Sequence, residues 1–492
     1  MLTLDGRHLT CDAVTAVAAG GVAVQVAPSA RARAAASWAV ATRAAGSRPV
    51  YGRTTGVGAN SVLPVIHPQT HAIALLRSHA TSTGPPRSAE RVRAMLLVRL
   101  NQLAAGGSGA GPELLDALAA MLTADRLPTV REGGGIGTGD LAALASVGLA
   151  LAGETSEPGL LPTLGVHEAL PLISSNAATI ADAALAYAQF ADLVRASVAA
   201  AALTFVVVRG NREAYSEAVE HVTPFDGARV VCRWLRGLTE GSPPPSRLQD
   251  PFSLRVVPQS VGPAVDALEH LRHVVEALAN APSENPVLLP GPPDGGWAGV
   301  AADGAVAHHG GFHAVYLGTA LDAATLAVTA SAVLSVGRLH ALVEPEYTGL
   351  TPFLADPATP GSSGVMMLEY LAADSLARMR AAAAPASLQS ASVSRGVENA
   401  ASFAPLAASN ATAAAAGYRT VLSCELLAAR RALVQQGVTV PAGVAAVLAE
   451  LDAQGALAAL GDEAADRDLS PDLDAAELAL GAVARLLPSP PR

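Results

Sequence analysis

The chain reads as a mostly α protein, and three observations predict it. Hydrophobic residues make up 51% of the 492 residues while aromatics make up only 3%, so much of the apolar fraction is alanine. Alanine is the strongest helix former and lets helices pack closely. Apolar residues also recur at helical spacing over long stretches, and clusters of glycine and proline separate those stretches.

Taken in order, residues 1–50 mix short β-like pieces, such as Gly21–Val26, with a helical stretch around Ala30–Ala45. From Pro112 helical spacing takes over, with Leu114, Leu115, Leu118, Met121 and Leu122 three or four apart. An apolar helix is predicted to start at Leu141. Between Val261 and Leu278, Val265, Leu268, Leu271 and Val275 line one face, while Asp266, Glu269, Arg272, His273 and Glu276 line the other. Residues 184–208, 314–343 and 407–435 read as long Ala-rich helices, apolar on most sides, which belong in the middle of a bundle. Glycine and proline punctuate at Gly52–Gly58, Gly133–Gly139, Pro243–Pro245, Pro286–Gly296 and Pro357–Gly364, and Pro488–Arg492 reads as a loose tail. This gives three segments: 1–185, carrying the glycine-rich loops; 186–440, the long-helix bundle; and 441–492, a C-terminal helical region.

Composition excludes several functions. A formal net charge of −10 argues against a nucleic-acid partner, which needs a basic face. Cys11, Cys232 and Cys424 are far apart, so neither a zinc ribbon nor a disulfide framework is expected. The chain has no lysine, which excludes pyridoxal phosphate, Schiff-base and P-loop chemistries. The start lacks the pattern of a signal peptide, and the longest apolar run, Ala196–Val208, is too short to span a membrane. A cytoplasmic protein with no membrane partner is expected. His309 and His313 stand at metal-ligand spacing but bracket Gly310-Gly311, poor helix material, so no metal is expected.

The segment Arg131-Glu-Gly-Gly-Gly-Ile-Gly-Thr-Gly-Asp140 precedes the Leu141 helix and has the form of a generic anion-binding turn or a connector. It has company: Tyr51-Gly-Arg-Thr-Thr-Gly-Val-Gly58, Arg77-Ser-His-Ala80, Gly106-Gly-Ser-Gly109, Gln249-Asp-Pro-Phe-Ser-Leu-Arg255, Glu284-Asn-Pro286, Gly310-Gly-Phe-His313, Gly349-Leu-Thr-Pro-Phe-Leu354, Ser394-Arg-Gly-Val-Glu398 with Ser402, and Asp466-Arg-Asp-Leu-Ser-Pro471. In this order, and over nearly the whole chain, these motifs resemble those of the histidine, phenylalanine and tyrosine ammonia-lyases and related aminomutases, the aromatic amino acid lyases.

The resemblance implies a long helical bundle of the ammonia-lyase and fumarase type with a smaller mixed N-terminal region. It implies a homotetramer whose active sites draw on three subunits, and an amino-acid-like substrate. No external cofactor is implied; an internal Ala-Ser-Gly cyclises in the family to 4-methylidene-imidazol-5-one, an electrophile that captures the substrate. Here the tripeptide is Gly137-Thr138-Gly139, so dehydration of Thr138 would give a more crowded ethylidene; alternatively the loop stays linear and Thr138 acts as a hydroxyl donor. By the same resemblance Tyr51 is the base on the substrate β-carbon, a role that requires its pKa to fall from about 10. Arg255 holds the substrate carboxylate. His79 and Glu398 sit at the substrate side chain, in a pairing more like histidine lyases than phenylalanine lyases, and Phe312 lines the site. Ser174 replaces an asparagine that bonds the prosthetic group, Phe252 replaces a tyrosine, and Gly311 replaces an asparagine.

Three functions stay open at this point: carbon–nitrogen lyase or aminomutase chemistry in specialised metabolism; an isomerisation, elimination or cyclisation on the same scaffold without the prosthetic group; and a non-catalytic homologue, against which the retained Tyr51 and Arg255 weigh. The changes at Thr138, Ser174 and Phe252 predict weak ammonia release from L-histidine, L-phenylalanine and L-tyrosine. Helices apolar on most sides must bury more surface than one chain covers, so a homotetramer is expected by light scattering; a monomer across micromolar concentrations overturns this.

Overall fold

The computed structural model describes residues 1–155, 159–160, 165–291, 304–454 and 465–490. Part of the Pro286–Gly296 cluster and the last two residues of the Pro488–Arg492 tail lie outside the described residues.

Helices dominate. Among the described residues, strands form two small sheets: β1 (Leu2–Leu4) runs parallel to β2 (Val24–Val26), and β3 (Val287–Leu289) antiparallel to β4 (Ala305–Ala307). The strand expected from Gly21 starts only at Val24, because Gly20 and Gly21 take positive φ angles of 93° and 77° and turn the chain first.

The helices that build the site are α1 (Pro28–Ser47), α2 (Pro68–His79), α3 (Ala89–Ala105), α4 (Leu141–Leu151), α5 (Ala169–Ile173), α6 (Ala177–Val207), α7 (Val257–Ala279), α8 (Val315–Val343) and α9 (Ala404–Gln436). Proline opens α1 and α2, where its missing N–H costs nothing. Ser88 caps α3 by accepting from Arg91 N at 3.3 Å. The three Ala-rich stretches are helices, as their composition predicts. α6 starts seven residues before the predicted 184 because its first turn is capped from a distance: the Asp140 carboxylate accepts from Thr179 N at 2.7 Å and from Thr179 Oγ1 at 2.9 Å. By length and composition Ala169–Val207 and α8 are long and apolar enough to cross a membrane, longer than the run Ala196–Val208 suggested; most of each stretch is buried within the protein, as in core helices.

The chain forms two compact units, each discontinuous in sequence and so crossing the contiguous segments read above. The first comprises Met1–Ala188, Leu271–Leu321 and Pro385–Ser409. Its organising feature is Arg99 on α3, fully buried, which ion-pairs with the buried Glu284 at 2.8 Å, donates to Leu172 O at 2.9 Å and bonds Pro171 O. Next to it Gln102 accepts from Ser175 Oγ at 2.6 Å. Asn101 receives Gly6 N at 3.0 Å and donates to Ala279 O at 2.9 Å, tying the N-terminal strand region to the end of α7. Gly6 has a φ of +77°, and a Cβ there would run into the backbone of Ala104 and Ala105, so glycine at this position is a close-approach requirement.

The second unit comprises Gln189–His270, Asp322–Ala384 and Asn410–Arg492. At its centre the buried Glu425 of α9 takes a two-pronged contact from Arg338 of α8, at 2.6 and 2.8 Å, and further bonds from Thr204 Oγ1 at 2.8 Å and Ser335 Oγ. Every charge in this cluster is compensated, which makes it costly to break from one side. Glu425→Gln should therefore lower the unfolding free energy by roughly 3–5 kcal/mol, read from the shift of the urea unfolding curve. The double change of Arg338 and Glu425 to methionine should cost less than Glu425→Gln alone; equal or greater loss would show that the pair itself is strongly stabilising.

Candidate active site

A cavity of about 390 Å3 opens in the first unit, lined by Tyr51, His79, Thr138, Ser174, Phe312 and Glu398 among others. Six of the ten residues singled out from the sequence thus meet in one place. Gly137 and Gly139 flank Thr138 on the same loop. Arg255 and Phe252 are not among the lining residues: they belong to the second unit, on the short helix Phe252–Arg255, where Arg255 lines another cavity with Asn211, Gln249, Asp250 and Gln259. There the Arg255 guanidinium lies over the Phe252 ring, 4.7 Å from its centroid.

The tripeptide loop is held from both of its ends, at Gly137 O and at Gly139 N. Gly137 has a φ of +86° and Gly139 of +117°, conformations that side chains resist. Gly137 O accepts from Ser402 Oγ at 3.0 Å and from Ala314 N at 3.3 Å. Gly139 N donates to Asn176 Oδ1 at 3.1 Å, and the Asn176 amide nitrogen donates to Phe312 O. On either side, Ile136 O accepts from Phe403 N at 2.9 Å and Asp140 N donates to Ser175 O at 2.6 Å. The starts of α4, α6, α8 and α9 thus gather around residues 136–141, so the positive ends of four helix dipoles surround the loop. Asp140, buried beneath it, has a carboxyl pushed up to about 6; burial drives the rise, against the Thr179 bonds and the charge of Arg87.

Tyr51 lies in the turn that follows α1, and its hydroxyl oxygen accepts from Gly58 N at 2.7 Å. Burial raises its pKa first, and the Glu398 carboxylate raises it further, while the Gly58 N–H lowers it. The net shift is upward, opposite to the shift a resting base requires, so the phenol of the free protein keeps its proton through neutral pH. Ser394 Oγ accepts from Ala59 N at 2.8 Å and pins the 394–398 turn, with Glu398, against the Tyr51 loop. His79 closes α2. Its Nδ1 lies 2.9 Å from Leu75 O and 3.0 Å from Ser78 Oγ; Leu75 O only accepts, so Nδ1 carries a proton, which in the neutral ring leaves Nε2 as an acceptor. Ser174 Oγ accepts from Asn285 N at 3.3 Å. Of the paired histidines, His309 is engaged at both ring nitrogens, at 2.7 Å from Glu284 O and 2.9 Å from Gly311 N.

Asn176 escaped the sequence reading. The resemblance points to Ser174, two residues earlier, in the place of an asparagine; nothing local says that the side chain at the start of α6 folds back on Gly139. The one available signal was an asparagine directly before an apolar helical run, a capping position.

A mostly helical scaffold brings a glycine-flanked hydroxyl residue and a tyrosine to one cavity beside a donor-ringed loop, an arrangement suited to a lyase. The chain belongs to the aromatic amino acid lyase family, whose model matches residues 9–453. It is 36% identical to the histidine ammonia-lyase of Symbiobacterium thermophilum over 96% of this chain and 94% of that protein. Among solved structures, it superposes on the ergothioneine-degrading enzyme ergothionase of Treponema denticola with a TM-score of 0.87 and 25% identity, covering 99% of both chains. The tyrosine aminomutase of Streptomyces globisporus gives a TM-score of 0.87 at 25% identity, covering 99% of this chain and 98% of that one. The chain is accordingly an ammonia-lyase-like enzyme.

The electrostatics of Tyr51 can be checked directly. Tyrosinate formation followed by ultraviolet difference titration, wild type minus Tyr51→Phe, should place this ionisation above the ordinary value of about 10. Glu398→Gln removes one of the two raising causes, so the midpoint should move to lower pH; an unchanged midpoint would mean that the carboxylate does not act on this phenol.

Proposed function

We propose that this enzyme is a carbon–nitrogen lyase for an amino acid whose side chain carries N–H donors, as an imidazole does. One observation carries the reading: His79, with Nε2 left as an acceptor, and the Glu398 carboxylate line the same cavity as Thr138 and Tyr51. Two acceptors at the side-chain end suit an imidazole N–H or an imidazolium and leave a phenyl ring without partners. The relatives' names agree in class, since histidine and ergothioneine are both imidazole compounds.

The loop fits the family's internal prosthetic group. Glycine on both sides of Thr138 allows the tight approach of Gly139 N to the Gly137 carbonyl carbon, and that carbonyl already receives two donors. Derived from threonine, the group would carry an ethylidene. When formed, it supplies an electrophilic carbon for the substrate amine, surrounded by four helix N-termini. The chain's own residues do the rest. Tyr51 transfers the proton at the substrate β-carbon. A cationic side chain seated on Glu398 neutralises the carboxylate that raises the Tyr51 pKa, so binding of the right substrate eases the loss of the phenol's proton. His79 Nε2 orients the ring. Arg255 is proposed as the carboxylate holder, brought by another copy in the homotetramer, and the enzyme as cytoplasmic.

The test is a substrate panel. The α,β-unsaturated product should form from imidazole amino acids at least about tenfold faster than from L-phenylalanine or L-tyrosine, a discrimination typical of a lost buried hydrogen bond. Tyr51→Phe should lower turnover of the best substrate by about a hundredfold with an unchanged melt, and His79→Leu should remove the imidazole preference. Equal turnover of phenylalanine, or a wild-type rate in Tyr51→Phe, would overturn the proposal.

A further inference from the structure

The donors on Gly137 point to how the loop matures. We propose that Ser402 Oγ and the backbone N–H of Ala314 form a donor pair that drives closure of Gly137-Thr138-Gly139 on itself, which makes Ser402 a catalytic residue of the chain's own processing. The inference rests on the reading that the tripeptide cyclises. It adds the group responsible, on a segment remote in sequence.

The geometry is that of an oxyanion hole. Two donors, at 3.0 and 3.3 Å, meet the oxygen of the one carbonyl that must be attacked. The Ser402 hydroxyl is committed in direction. It accepts from Ala404 N at 3.4 Å, so its single proton is free for Gly137 O. Ser402 is 1% exposed, which excludes water from competing for that oxygen and strengthens the bond. Ala314 directly precedes α8, so its N–H belongs to a helix N-terminus, whose partial positive charge suits a developing oxyanion. On the attacking side, Asn176 Oδ1 accepts from Gly139 N at 3.1 Å and fixes the orientation of that amide. The position of Ser402 also depends on glycine at 137: an alanine Cβ there would fall on Ser402 Oγ. In this chain the glycine makes room for the hydroxyl to sit on the carbonyl.

The chemistry balances without an outside reagent. Gly139 N bonds to the Gly137 carbonyl carbon, and its proton passes to the oxygen that Ser402 and Ala314 hold. That hydroxyl leaves as water with the Thr138 amide proton, giving a carbon–nitrogen double bond. Thr138 then loses its hydroxyl and its Cα proton as a second water, giving the exocyclic double bond. The donor pair acts on the first of these steps, where negative charge builds on Gly137 O.

The test follows mass rather than activity. Wild type, Ser402→Ala and Ser402→Cys are synthesised in a cell-free system and sampled over time, and the tryptic peptide Glu132–Arg195 is weighed. In wild type the peptide should lose two waters, about 36 Da. Both variants should lose them at least about a hundredfold more slowly, the usual effect of removing one oxyanion donor, although each is folded by circular dichroism and melts cooperatively. Cysteine keeps the shape and donates weakly, so it carries the comparison where alanine at the helix cap impairs folding. A Ser402 variant that loses both waters at the wild-type rate overturns the proposal and leaves the cyclised loop standing. A wild-type peptide of unmodified mass overturns the cyclised loop and this proposal together, while the substrate panel still decides the lyase reading.

Discussion

One buried guanidinium sets the geometry from which the rest of the site follows. Arg99 has no exposed surface, and burial alone depresses its pKa; the Glu284 carboxylate at 2.8 Å offsets that cost. The remaining donors reach the carbonyls of Pro171 and Leu172 and the side chain of Gln102. Because a planar guanidinium presents its N–H groups in a fixed fork, the residues around it cannot slide independently. Ser174 and Asn285, which line the cavity, are each the near neighbour of an Arg99 partner. Ser175 bonds Gln102, and Ser175 O in turn accepts from Asp140 N, so the chain of contacts runs from α3 to the tripeptide loop. The second unit uses the same device around Arg338 and Glu425.

Around the loop the protein concentrates donors. Four helices begin there, and their N–H ends and capping groups face residues 136–141. Such an environment favours negative charge, whether on a carbonyl oxygen during processing or on a substrate during turnover. The same cavity also presents acceptors, the Glu398 carboxylate and, in the neutral ring, His79 Nε2. Tyr51, held by Gly58 N, stands where its phenol feels the Glu398 carboxylate. The upward shift of its pKa in the free protein is the physical consequence of burying a phenol beside a carboxylate.

The sequence by itself determined the helical class, because an Ala-rich chain with apolar positions three and four apart has no other way to bury them. It also marked the loops, since glycines at Gly6, Gly137 and Gly139 occupy positive φ angles or close approaches that other residues resist. The order of its motifs was enough to identify the family, and six of the ten residues singled out line one cavity. What only the tertiary structure decided are the long-range polar contacts: Asp140 capping α6, Asn176 on Gly139, Ser402 on Gly137 and the direction of the Tyr51 shift. Periodicity records which face of a helix is buried. A hydrogen bond between residues 265 apart, as between Ser402 and Gly137, leaves no local trace, because the partner is chosen by where the fold brings two segments together.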